Sequence, residues 1–173
     1  MKKVFVILMC CLGLAFTSCK PDPEPEPEPK PYEQFLGEFL GSIELQGVLT
    51  SVMFPGTELP LDGSTFQLGA KIDAGSSDDQ VYVTFTVQEE NYVTNGTVNG
   101  NTIEFGTLSY TYVENTQEFT VHLDLTGTLS DDTNTITLTG PYTGNGDVNF
   151  QGITMVMDAK GDVTGTLSRL ATK

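Results

Sequence analysis

The sequence contains no tryptophan, one histidine and three cysteines, and all three cysteines lie within the first nineteen residues. Beyond Cys19 there is no thiol for a disulfide bond or for a thiolate metal site. The single histidine, His122, cannot complete a zinc ligand set. It alternates out of phase with Val121 and Leu123, so we expect it on an outer face, where it takes part in neither a metal site nor a proton relay. The folded region must therefore be stabilised by its core without covalent help.

Basic residues are also scarce. After residue 31, four lysines and arginines stand against nineteen aspartates and glutamates. A protein with this balance is repelled by nucleic acid and by anionic membrane surfaces, so we expect neither as a direct partner. The acidity mainly favours solubility.

The motifs of common enzymes are missing as well. There is no Gly-x-Ser-x-Gly, no Cys/His pair and no phosphate-binding loop. The paired carboxylates at 78–79, 89–90 and 131–132 fall at expected turns, which favour aspartate. Asn145-x-Asp147-x-Asn149 resembles the start of a calcium loop, but Phe150 and Val156 stand where that loop needs glycine and glutamate. A weak loop site for calcium stays open; otherwise we expect no enzyme, no cofactor and no metal.

One apolar run stands at the N-terminus, from Val4 to Phe16, after two lysines. A helix needs about 20 apolar residues to span a bilayer, so this run is typical of a cleaved secretory signal peptide. The Thr-Ser-Cys that follows resembles the lipobox of bacterial lipoproteins. That resemblance implies a signal peptide over residues 1–18 and a lipid anchor on Cys19 that attaches the protein to a membrane. The alternative is an ordinary signal followed by a chance cysteine.

Proline is concentrated in one segment: six of the nine prolines occupy alternate positions from residue 21 to residue 31. Such a segment forms a semi-rigid polyproline II spacer, so residues 19–31 are interpreted as a tether. Its acidic residues follow the cysteine closely and resemble the surface-export signal of Bacteroides-type lipoproteins. The resemblance implies the outer membrane, with the cell surface favoured over the periplasm. A plain periplasmic linker is the alternative.

Residues 32–173 have the length of one domain. Short runs of alternating apolar and polar residues, separated by glycine, asparagine and aspartate, indicate an all-β fold. Asn99-Gly100 predicts a tight hairpin, because both residues tolerate a positive φ. Short connections favour an antiparallel meander. The predicted strands are 35–48, 65–72, 81–87, 92–98, 102–105, 107–113, 119–129, 135–142, 152–159 and 161–170.

The first and last predicted strands share one pattern, and it favours a closed barrel over a sandwich. The first contains Gly37 and Gly41 on the same face as its apolar residues, and the last contains Gly161 and Gly165 in the same arrangement. Inward glycines let a strand coil sharply, which closure requires. We therefore predict a single antiparallel meander closed into a barrel of 8–10 strands, with the first strand paired to the last.

Three segments carry a family resemblance: FLGEFLGSIEL at 35–45, TVNGNTIEF at 97–105 and GDVTGTLSRL at 161–170. Together with the lipobox and the acidic tether, they resemble the calycin-like β-barrel domain of Bacteroides-type lipoproteins. The resemblance covers most of residues 35–170 and implies a lipocalin-like barrel. It transfers no catalytic or binding residue.

The barrel interior is the best candidate for a ligand site. Buried phenols need polar partners, which a ligand or trapped water supplies, and methionine adapts to varied apolar shapes. The stretch 47–63 lacks clear alternation and is interpreted as a long apolar loop that acts as a lid or as a plug. The candidate ligand residues are Tyr110, Tyr112, Met155, Met157 and Phe85, and the candidate lid residues are Met53, Phe54 and Leu59.

Three functions follow from this interpretation, in decreasing order of preference. The first is a tethered barrel that binds a small apolar or amphipathic molecule. The second is a filled barrel that acts as a structural or protein-interaction module through its acidic outer surface or loops. The third is a glycan-binding accessory protein that stacks sugars on Tyr82, Tyr92 and Tyr142.

Overall fold

A computed structural model describes residues 29–171 apart from 52, 115–116 and 151. The predicted signal peptide, Cys19 and most of the predicted tether lie outside the described residues. Within the described part, no helix has the length and hydropathy needed to cross a membrane.

The described chain consists of one 3₁₀ turn followed by β-strands. The turn covers Glu33–Phe35. The strands are β1 (Gly37–Ser51), β2 (Glu58–Ala74), β3 (Gln80–Val87), β4 (Glu90–Asn99), β5 (Thr102–Phe105), β6 (Leu108–Glu114), β7 (Gln117–Leu123), β8 (Thr126–Leu129), β9 (Thr135–Phe150) and β10 (Ile153–Arg169).

The strands form an eight-stranded antiparallel closed barrel with a mostly meander order. Neighbours follow the order β10–β1–β2–β3–β4–β5–β8–β9, and β9 pairs again with β10. The first and last strands pair over most of their length, from Phe39 opposite Arg169 to Ser51 opposite Met157. The predicted all-β class, the closure and the pairing of first with last strand are confirmed.

β7 and β8 were predicted as one strand over 119–129, and this prediction is wrong. Both halves pair with β9, but the ladder breaks at Asp124 and Leu125. Pro141 of β9 lies there, and its carbonyl accepts from the Asp124 N–H. Because proline has no backbone N–H, Pro141 cannot donate the second hydrogen bond of the pair. The ladder is therefore interrupted at this point.

β10 shows the opposite error, because 152–159 and 161–170 were predicted as two strands. The strand runs unbroken through Gly161, which pairs with Gly47 of β1 and with Tyr142 of β9. A Cβ on Gly161 would overlap the Gln46 carbonyl, and one on Gly47 would overlap that of Lys160. Glycine therefore allows the close backbone approach that coils these strands into a barrel.

The predicted long loop over 47–63 is also wrong, since β1 continues to Ser51 and β2 begins at Glu58. A bulge in β2 places two residues, Asp62 and Gly63, against one residue of β1, and Gly63 adopts a φ of +73°. The extra residue of a bulge shifts by one position the alternation of side chains between the inner and outer faces of the strand. Inward residues are therefore even-numbered from Ser64 onward and odd-numbered before the bulge, so the run has no single alternation in the sequence.

One end of the barrel, called the base, is closed. It carries the 3₁₀ turn and the connections 75–79, 100–101 and 130–134. Phe35 is 0% exposed and belongs to the core cluster. Arg169 donates to the carbonyls of Leu36, Gln34 and Thr133, and its guanidinium lies 4.5 Å from the centre of the Phe39 ring. These contacts fasten the segment before β1 across the end of the barrel.

The other end, called the mouth, carries the connections β1–β2, β3–β4, β6–β7 and β9–β10. Burial falls along β2 and β10 toward it. In β10, Leu167, Val163 and Met157 are buried, Met155 is half-buried and Ile153 is exposed. The core therefore occupies the base and the middle of the barrel, and it thins out toward the mouth.

Candidate functional site

The wall of the barrel is split at the mouth between β4 and β6. Only residues 96–99 of β4 pair with β5, and residues 90–95 pair with β3 alone. β6 pairs with β7 alone. The split opens beyond the hydrogen bond from the Gly106 N–H to the Asn95 carbonyl. The β3–β4 and β6–β7 hairpins therefore stand side by side without a shared ladder.

Two tyrosines bridge this split. The rings of Tyr92 and Tyr110 meet edge to face with centroids 5.8 Å apart. The Tyr110 hydroxyl donates to Gln88 Oε1 at 2.5 Å, and the Tyr92 hydroxyl donates to Glu90 Oε2 at 2.6 Å. The bond to Glu90 raises the pKa of Tyr92 to about 12, and burial raises that of Tyr110. Side chains rather than backbone hydrogen bonds thus close this part of the wall.

The turn beside the split is strained. Gln88 and Glu89 connect β3 to β4 with φ values of +49° and +71°. A two-residue hairpin of this kind needs a positive φ at both positions, which favours asparagine and glycine. Left-handed backbone at other residues costs on the order of 1 kcal/mol each. Gln88 accepts the hydrogen bond of Tyr110 across the split, so the turn belongs with the candidate site.

A cavity of about 630 Å³ opens at the mouth. Its wall is mostly apolar, with polar side chains among the lining residues. The lining residues come from β1, β2, β3, the β3–β4 turn, β6, β7 and β9: Ile43, Leu45, Leu49, Leu61, Ser64, Phe66, Val87, Gln88, Tyr110, Tyr112, Gln117, Phe119, Val121, Leu123, Asp147, Val148 and Asn149. A volume of this size is within the range of small-molecule sites, roughly 300–1,000 Å³.

The structure places the candidate ligand residues in three environments. Tyr110 and Tyr112 line the main cavity. Met155 and Met157 line a second cavity of about 400 Å³ instead. Phe85 is fully buried in the core, where its ring packs edge to face against Phe105 with centroids 5.2 Å apart, and it lines neither cavity. Only the two tyrosines of the predicted set therefore belong to the main site.

Two of the three candidate lid residues lie at the second cavity. Phe54 and Leu59 line it together with Ser51 and Ile153. Leu59 lies in β2 rather than in a loop. Met53 and Phe54 lie in the short β1–β2 connection and are 65% and 57% exposed. They stand at the tip of the long strands and do not line the main cavity.

Most of the apolar wall was missed by the sequence interpretation. Leu49 and Leu61 fell inside the supposed loop, and in β2 the bulge hides the alternation that places Leu61 on the inward face. Phe119 and Val121 alternate inward in the sequence, but they were not named as candidate ligand residues. Their position at the mouth end of β7 was the only available sign that they face a cavity.

Three other sequence interpretations can be compared with the structure. His122 is exposed on the outer face, where its Nδ1 shares a hydrogen bond of 2.8 Å with Ser109 Oγ. The supposed calcium loop at 145–149 is part of β9, and the described residues contain no group of three or more His, Cys, Asp or Glu that could hold a metal ion. Tyr142 is 2% exposed, so the idea that it stacks on sugars is wrong.

Tyr142 has a structural role instead. Its hydroxyl lies over Gly47, where a Cβ would come within 2.8 Å of it. An aromatic ring over inward glycines fills the space that their missing side chains leave. The hydroxyl is buried and has no hydrogen-bond partner among the described residues. Burial raises its pKa, which keeps the phenol neutral.

Comparison with known proteins gives a structural likeness only. A crystal structure of a protein of unknown function from the DUF3598 family of Nostoc punctiforme matches with 12% identity and a TM-score of 0.35, over 79% of this chain and 48% of that one. This chain thus spans about half the length of that protein. No family model matches the chain. No curated protein matches it.

Proposed function

We propose that this chain is a membrane-anchored lipoprotein whose calycin-like barrel binds a small apolar or amphipathic molecule in the cavity at its mouth. The observation that carries the proposal is the cavity itself. A site of about 630 Å³ with a largely apolar wall and a few polar side chains has the usual construction of a small-molecule pocket. A barrel of eight strands has an interior wide enough to hold one small ligand.

The position of the chain entry supports the tethered arrangement. The described chain begins at the base, where the Lys30 ammonium pairs with Asp78 at 2.8 Å and Gln34 Nε2 donates to the Gly100 carbonyl at 2.6 Å. A lipid on Cys19 would therefore hold the base toward the membrane. The extended tether would add on the order of 35 Å, and the mouth would face away from the membrane.

The test is native mass spectrometry of residues 20–173, which contain every described residue, purified from a bacterial host without denaturation. We expect an additional mass that leaves on organic extraction. A bare polypeptide mass that persists after incubation with mixed lipids would refute the carrier function and favour the filled-barrel alternative.

A pair of variants tests whether a bound molecule occupies the main cavity. Val121→Trp places an indole in the apolar wall and should displace the ligand. Val93→Trp places the same side chain on the outer face of β4, where Val93 is 74% exposed, and should leave the bound mass unchanged. Circular dichroism of both variants shows whether the barrel has folded.

A second candidate function is a protein-interaction module that works through the tip of the long strands. Met53, Phe54 and Ile153 are all exposed there, and clustered exposed apolar side chains mark interaction sites. If this function is correct, Met53→Ser with Phe54→Ser should abolish binding to a protein partner, and Val121→Trp should leave that binding intact. The reverse pattern would exclude it.

A further inference from the structure

The second cavity adjoins the main cavity inside the barrel mouth. Leu49, in the wall of the main cavity, lies directly opposite Leu59, which lines the second cavity. In the β9–β10 pair, Val148 of the main cavity lies directly opposite Met155 of the second. Residues that face each other in neighbouring antiparallel strands have Cβ atoms about 4.5–5.5 Å apart. The two cavities therefore meet at the β1–β2 pair and again at the β9–β10 pair.

A glycine lies at a third point of contact. Gly146 of β9 is opposite Phe119 of the main cavity on one side and opposite Met157 of the second cavity on the other. It shares the inward face of β9 with Val148, two residues further on, because side chains alternate along a strand. Glycine has no side chain, so β9 places no inward group between Phe119 and Met157 at this level.

The wall of the second cavity is mostly apolar, and none of the described residues in it is ionisable. Its two polar side chains are the neutral hydroxyl groups of Ser51 and Thr57. The Ser51 hydroxyl already accepts a hydrogen bond from the Met53 N–H at 3.2 Å. Met155 and Met157 supply flexible thioether side chains that adapt to the shape of an apolar guest. The second cavity is thus suited to hydrocarbon rather than to a polar head group.

The two cavities together make a long site. Along β1, the lining residues run from Ile43 and Leu45 through Leu49 in the main cavity to Ser51 in the second. The eight steps from Ile43 to Ser51 cover about 26 Å of strand at about 3.3 Å per residue. The combined volumes of about 630 and about 400 Å³ reach the upper limit of small-molecule sites, roughly 1,000 Å³.

We infer that the ligand is an elongated molecule with a long hydrocarbon chain, and that the second cavity holds the end of this chain. The inference rests on the proposed binding function and specifies its ligand class. A compact apolar molecule, such as a fused-ring compound, would occupy the main cavity alone. A long chain also covers part of Phe54 and Ile153, which line the second cavity and are 57% and 64% exposed. Burial of that apolar surface favours the longer ligand.

Two linear alcohols of different length test this inference on residues 20–173: 1-octanol and 1-hexadecanol. Equilibrium dialysis with radiolabelled probes measures both affinities. Each additional buried methylene strengthens binding about fourfold, which corresponds to about 0.8 kcal/mol. We therefore expect hexadecanol to bind at least about a hundredfold more tightly than octanol.

A matched pair of variants assigns the end of the chain to the second cavity. Met155→Trp places an indole in that cavity and should weaken hexadecanol binding at least about tenfold, because the indole takes the space of several methylenes. It should leave octanol binding unchanged, since the main cavity holds the shorter chain. Val156→Trp places the same side chain on the outer face of β10, where Val156 is 48% exposed, and should change neither affinity. Circular dichroism shows whether both variants have folded.

The outcomes separate this inference from the function on which it rests. If Met155→Trp leaves hexadecanol binding unchanged, the chain does not reach the second cavity and the inference is wrong. If it weakens both alcohols equally, the second cavity is not a separate end of the site, which also contradicts the inference. If octanol binds and hexadecanol does not, the elongated ligand class is wrong although the main cavity still binds. If neither alcohol binds to the unsubstituted protein, the proposed binding function fails as well.

Discussion

The base and the mouth of this barrel are made from the same long strands, yet they are closed in different ways. At the base, Phe35 completes the core and Arg169 fastens the preceding segment with three hydrogen bonds to carbonyl groups. At the mouth, the wall between β4 and β6 is held by Tyr92, Tyr110 and a strained turn. The stabilising contacts are thus concentrated at one end, and the other end is free to hold a cavity.

Two phenylalanines give the largest expected contrast between the ends. Phe35→Ala should lower the free energy of unfolding by about 3–5 kcal/mol, because it removes a fully buried ring from the base. Phe54→Ala at the mouth should change it by no more than about 0.5 kcal/mol, since the ring is already 57% exposed. Urea denaturation measures both values. Equal losses would show that the base does not dominate stability.

Arg169 tests whether the closure of the base depends on geometry or on charge alone. Arg169→Lys keeps the positive charge but loses the planar group that reaches three carbonyls, so we expect a loss of about 2 kcal/mol. Lys160→Arg on the outer face is the reciprocal control and should have no effect. Thermal unfolding followed by circular dichroism compares the two, and an unchanged melting temperature for Arg169→Lys would contradict the prediction.

Substitutions in the turns at the two ends should change the free energy of unfolding in opposite directions. Glu89→Gly should stabilise the mouth by about 1 kcal/mol, because glycine accepts the positive φ at no steric cost. At the base, Gly100 has a φ of +62° in the β4–β5 turn, and Gly100→Ala should destabilise by a similar amount, about 1 kcal/mol. Chemical denaturation checks both signs. A destabilised Glu89→Gly variant would mean that the turn is not strained.

The smallest effect is a pH dependence at the mouth. The hydrogen bond to Glu90 raises the pKa of Tyr92 from near 10 to about 12. The folded state therefore holds this proton more tightly than the unfolded state. The stability that it contributes is complete below about pH 10 and is lost as the pH rises toward 12.

Tyr92→Phe should make stability fall less steeply between pH 10 and pH 12. A remaining slope is expected, because the pKa values of Tyr110 and Tyr142 are also raised, mainly by burial. Tyr82→Phe on the outer face is the control. Unfolding midpoints measured across this pH range test the prediction, and identical slopes for the two variants would contradict it.

Several features of the fold could be read from residue patterns alone. Alternation in segments such as 81–87 identified the strands, and the matched glycines of the first and last strands indicated closure. The tight turn after β4 was also expected, although its loop residues are Gly100 and Asn101 rather than Asn99 and Gly100. These features depend on local sequence, because side-chain alternation and backbone conformation are set by neighbouring residues.

The candidate site was harder to predict. Of the five candidate ligand residues, Tyr110 and Tyr112 line the main cavity, Met155 and Met157 line the second cavity, and Phe85 lies in the core. Alternation had assigned all five to inward faces. Alternation gives the face on which a side chain lies but not its height in the barrel, and the height decides whether it meets the opposite wall or an empty space.

The sequence by itself determined an acidic, cysteine-free, all-β domain whose end strands can pair, because composition and short-range periodicity fix these properties. Only the tertiary structure decided where the interior is filled and where it is open. The bulge at Asp62 and Gly63, the interruption opposite Pro141 and the split between β4 and β6 arise from the register between strands that are distant in sequence. Such long-range registers depend on the packing of the whole barrel, and they shape the cavity at the mouth.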